Sequence, residues 1–132
     1  MRKADQVRTW MLRGLFLGLL HAVAQVVVAA VRVQAPEALA LPRTIALAVL
    51  VIAAAAWAYV DGDRTNWLLA GVVAGLVAGL FGVAGQALLV DATEFSALGV
   101  ALTGGAAFTA LLVLLPALIG KALANRRVTG SP

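Results

Sequence analysis

The sequence predicts an all-α integral membrane four-helix bundle, on three observations. The 132 residues are 63% hydrophobic with a mean hydropathy of +1.00, far above a soluble domain. The apolar residues gather into four segments, at about 10–31, 44–60, 67–90 and 96–120, most of them long enough to cross a hydrocarbon layer of about 30 Å. The basic residues stand at or near the ends of those segments. One transmembrane domain then accounts for residues 1–132, with no room left for a sizeable soluble domain.

The first segment follows Arg2, Lys3 and Arg8 and has Arg13 near its start. A basic start before an apolar run is also the pattern of a secretory signal, and Ala22-Val23-Ala24 has the look of a cleavage site. The run continues to Val31, so a retained helix is the expectation. Residues 32–43 form a loop with Pro36, Glu37 and Pro42. Pro42 suits the first turn of a helix, where its missing N–H costs nothing. The second segment carries no charge between Thr44 and Asp61. Asp61-Gly62-Asp63-Arg64-Thr65-Asn66 reads as a tight polar turn whose two aspartates are solvated caps. Residues 91–95 turn the chain again. The fourth segment holds Pro116, where a kink is expected, and Lys121, Arg126 and Arg127 lead a short polar tail.

The third segment is the most informative. Read as a helix, Gly71, Gly75, Gly79, Gly82 and Gln86 fall within roughly 80° of one another. In water each interior glycine would cost about 1 kcal/mol against alanine. In lipid the backbone bonds to itself, and glycine lets a neighbouring helix come close. The first segment shows a similar face, with Gly14, Gly18, His21 and Gln25. Shifted along the chain, Gly14 falls on Gly75, Gly18 on Gly79 and Gln25 on Gln86, a pattern that suggests a tandem two-helix repeat. Helices one and three are then expected to face each other or a shared centre. Short loops predict that helices two, three and four are sequential antiparallel neighbours. The glycines are read as helix-packing residues, and the glycine face of helix three as a contact for a second copy. Gly99, Thr103, Ala106 and Ala110 form a small-residue face on helix four.

Orientation follows from charge. Eight of the ten lysines and arginines lie on the side of the termini and the 61–66 turn; only Arg32 and Arg43 lie on the other. Both termini are therefore expected in the cytoplasm, with the chain in the cytoplasmic (inner) membrane. Trp10, Trp57, Tyr59 and Trp67 fall at the same interface. The pI near 10.8 reflects these flanking charges, so the expected partner is the lipid bilayer and not nucleic acid.

His21 is the one ionisable side chain well inside a span. It reads either as a proton-sensitive or ligand-contacting group or as a neutral histidine hydrogen-bonded across the helix packing. Gln25 and Gln86 read either as solute-pathway residues or as amides tying helices together. With no cysteine, disulfides, thiolate metal sites and thiol catalysis are excluded. Nothing pairs a nucleophile with a base and an orienting acid, and the phosphate- and dinucleotide-loop patterns are missing. No enzyme, cofactor or metal is expected.

Size and helix plan resemble the small multidrug resistance transporters, which pump cationic drugs as dimers using a glutamate in the first helix. No carboxylate lies in any span here, and His21 is the nearest substitute, so that mechanism is not carried over. A closer resemblance is to small actinobacterial membrane proteins classed as four-helix members of the drug/metabolite transporter superfamily. It rests on Trp10-x-x-Arg13-Gly14 leading to His21-Ala22, on Trp57-Ala58-x-x-Asp61-Gly62-x-Arg64, and on Thr103-Gly-Gly-Ala-Ala-Phe-Thr-Ala110 followed by Pro116-Ala117. The resemblance implies a transporter of unknown substrate, acting as a homo-oligomer. The alternative is an accessory subunit whose glycine and amide faces dock on a larger membrane complex.

Overall fold

The computed structural model describes residues 2–91 and 93–130. Four long helices dominate them: α1 (Arg2–Gln34), α2 (Ala40–Asp61), α3 (Trp67–Gly85, continued by a π-helical turn Gln86–Val90) and α4 (Phe95–Thr129). All four are long and apolar enough to cross a membrane. α4 opens with a short 3₁₀ turn, Phe95–Ala97, and carries its own π-helical turn at Ala101–Gly105 before running on through Pro116.

The helix ends follow local chemistry. Gly62 ends α2 in the left-handed region (φ 56°), a conformation that costs glycine nothing. Asn66 starts α3 by accepting a 3.2 Å hydrogen bond from the Leu69 N–H. Pro42 sits within the first turn of α2. The helices run further than the apolar segments do: residues 2–9 and 121–129 are helical although polar. Nothing in either stretch breaks a helix, and Gly130 follows immediately after α4.

The burial pattern is that of a protein in lipid. Leu12, Phe16, Leu19, Val23 and Val27 on α1, and Leu68, Val72, Leu76 and Leu80 on α3, face outward. The interior holds smaller groups: Ala54, Ala58, Ala70, Ala74 and Ala117, around Leu17, Leu50 and Val113. Small residues inside let helices approach, which is how bundles cohere where no hydrophobic force acts between them.

α1 packs along α3, α3 along α4, and α4 along α2, while α1 meets α2 through a much thinner seam. α2 and α3, consecutive in the chain, do not pack side by side, which corrects the expectation of sequential neighbours. Backbone proximity explains the order. A Cβ on Gly71 would stand 2.8 Å from the Ala110 carbonyl oxygen, and one on Gly79 would stand 2.7 Å from that of Ala101. At Gly75 it would overlap the Ala106 carbonyl outright, and at Gly120 that of Ala55 on α2. Gly14 and Gly18 of α1 likewise abut the Ala70 and Ala74 carbonyls of α3. The glycine face suggested for a second copy is thus filled by α4 of the same chain. Of the expected face on α4, Ala106 and Ala110 are at this seam, whereas Gly99 and Thr103 are exposed.

Candidate functional site

His21 lies one turn beyond Leu17 and Gly18 on the inner face of α1 and is only 8% exposed. Its Nδ1 is 3.1 Å from the hydroxyl oxygen of Thr109 on α4, a hydrogen bond that crosses the centre of the bundle. Thr109 is itself buried. One turn further along α1, Gln25 meets Gln86, whose amide nitrogen donates to the Gln25 carbonyl oxygen over 3.5 Å. That contact is long, so both amides keep hydrogen-bonding capacity. Gly82 makes the arrangement possible: a Cβ there would overlap the Gln25 amide oxygen.

His21, Gln25 and Gln86 line one cavity of about 310 Å³, with Arg32, Arg43 and Phe108. His21 is deepest in the bundle, the amides stand a turn further out, and Arg32 and Arg43 come from the last turn of α1 and the first turn of α2. The cavity lies towards the end of the bundle where α1 and α2 are joined. No carboxylate lines it. Among the described residues, neither arginine forms a salt bridge; Glu37, Asp91 and Glu94 at that end of the molecule are exposed. Positive charge, amide dipoles and an imidazole therefore converge on one space.

At the opposite end the α1–α2 seam is closed by an ion pair. Arg13 Nε donates to Asp61 Oδ2 at 3.0 Å and Arg13 Nη2 to Asp61 Oδ1 at 3.1 Å, a two-pronged pair. The Thr65 hydroxyl adds a 2.9 Å hydrogen bond to Asp61 Oδ2. The guanidinium also lies 4.3 Å over the Trp57 ring, and Phe16 meets that ring edge-on at 4.9 Å. Lys121 pairs with Asp63, and Arg127 donates to the Tyr59 hydroxyl at 2.9 Å. Trp67 is buried at this end, its indole N–H without a partner among the described residues. The Asp61 carboxylate, with a side chain 10% exposed, is consequently not the solvated cap expected of it. Asp63, at 73%, is solvated.

The three predicted site residues, His21, Gln25 and Gln86, thus share one cavity. Arg32 and Arg43 were missed as parts of it, and Thr109 as the partner of His21. Thr109 lies within the Thr103–Ala110 block, and the two arginines are the only basic residues at their end of the chain's topology.

No protein-family model matches this chain, and no curated protein matches it.

Proposed function

We propose that this chain is a small transporter of the cytoplasmic membrane that moves a solute past His21, Gln25 and Gln86. The observation supporting the reading is the cavity itself, which reaches from Arg32 and Arg43 at one end of the bundle to the buried His21, itself bonded to Thr109, and is lined by two under-used amides. Intramembrane polar groups around a space that admits solute are the usual furniture of a pathway. We place both termini in the cytoplasm because the closed end carries eight of the ten basic residues. The cavity then opens outward. We further read Gly14, Gly18 and Gln25 as the repeat of Gly75, Gly79 and Gln86; the side-by-side packing of α1 and α3 and the Gln25–Gln86 contact favour it. Assignment to the four-helix drug/metabolite transporters and assembly as a homo-oligomer belong to the same proposal.

The chain lacks cysteine, so one introduced thiol reports without background. Ala24→Cys, inside the cavity, is expected to react with a membrane-impermeant maleimide from outside and, in a second population, from the cytoplasmic side. Reaction from one side alone under every condition would overturn transport through this cavity. Native mass spectrometry of the gently extracted chain tests assembly. A homo-oligomer agrees with the proposal, and fixed stoichiometry with other membrane proteins would make the chain a subunit instead.

A further inference from the structure

We infer that the cavity and the apolar groove beside it form one site for an amphiphilic oxyanion: a phosphate or carboxylate head group carrying a single hydrocarbon chain. The inference deepens the transporter reading and rests on it for the identity of the site. The head-group half is the cavity already described, where Arg32 and Arg43 lack carboxylate partners among the described residues. Guanidinium groups recognise planar or tetrahedral oxyanions through paired N–H donors. The Gln25 and Gln86 amides add donors one step deeper. A cation would meet two like charges and no carboxylate.

The chain half is a second space of about 220 Å³ between α1 and α2, lined by Leu20, Val23 and Val27 on one side and Ile45 and Val49 on the other. It shares His21, Ala24, Val28 and Ala46 with the cavity, so the two are contiguous. It also follows the thinnest helix seam in the bundle, and Val23, Val27, Ile45 and Val49 are all exposed to the lipid side. A wholly polar solute would leave this wall unmatched. A molecule with a charged head and one alkyl chain fits both halves and can enter sideways from the bilayer.

The test is equilibrium binding of radiolabelled dodecyl phosphate to the full chain in phosphatidylcholine nanodiscs, with empty discs subtracted. Saturable binding is expected, competed poorly by inorganic phosphate and by dodecyltrimethylammonium. The double variant Arg32→Gln/Arg43→Gln should weaken it about tenfold or more. Val27→Trp, at a lipid-facing groove position, should weaken dodecyl phosphate binding while the protein's thermal unfolding stays unchanged. Lack of saturable binding, or full affinity in the arginine double variant, overturns the inference. So does equal competition by inorganic phosphate, which would mean a soluble oxyanion, or by the ammonium amphiphile, which would mean that charge is not read. Displacement by a small fraction of phosphatidylglycerol would mean an annular lipid site and would overturn it too. Binding requires no flux, so a chain that binds but moves nothing sinks the transporter reading alone.

Discussion

The two ends of this bundle use arginine in opposite ways. At the closed end Arg13 is paired: two hydrogen bonds to Asp61, an aromatic face beneath it, and Thr65 also bonded to the carboxylate. At the open end Arg32 and Arg43 have no carboxylate partner among the described residues and border a cavity instead. A paired charge holds helices together; an unpaired one at a cavity is available to a ligand. The same residue type therefore serves cohesion in one place and availability in the other, and the difference lies in what the partner helix presents.

The largest expected effect of a single change is at the closed end. Asp61→Ala strands a partly buried guanidinium and should lower stability by about 3 kcal/mol, read as denaturant or thermal unfolding in micelles. A loss below about 0.5 kcal/mol would erase the contrast between the ends. Next comes the wall common to both. Gly75→Ala forces a methyl group onto the Ala106 carbonyl and should cost about 1–3 kcal/mol by overpacking, measured in the same assay. Thr109→Val removes the bond to His21 and should cost about 0.6–1.7 kcal/mol. Solvent-exchange protection at His21, followed by NMR, should fall with it. The smallest effect is at the open end, where Arg32→Gln and Arg43→Gln should each change stability by less than about 0.5 kcal/mol. A loss of several kcal/mol there would show that these arginines are structural after all.

The four spans were legible because long apolar runs have few alternatives to membrane helices. Their ends were less so. Hydropathy marks where lipid stops, whereas the helix stops at a breaker, and between Arg2 and Thr9 there is none. Helix adjacency was legible only in part. Matching glycine faces correctly suggested that α1 and α3 meet, but short loops wrongly suggested the same of α2 and α3. A loop limits how far apart two helix ends stand without deciding which faces fit. His21, Gln25 and Gln86 were legible as polar exceptions in apolar spans. The Arg13–Asp61 pair was not, because its members lie 48 positions apart, and a charge beside a span looks the same whether solvent or a partner receives it. Thr109 escaped notice for a related reason: a hydroxyl in a helix ordinarily bonds to its own backbone, as Thr103 does to the Gly99 carbonyl.

The thin α1–α2 seam has a mechanical meaning. Three tight walls and one loose one make a split ring, pinned at one end by the Arg13–Asp61 clasp. From Arg13 to Arg32 the helix forms a stiff arm of about 28 Å at 1.5 Å per residue. On an arm of that length, a tilt of about 5° at the clasp displaces the far tip by about 2.5 Å. That is close to the width of a water molecule, gained without breaking one hydrogen bond inside the helix.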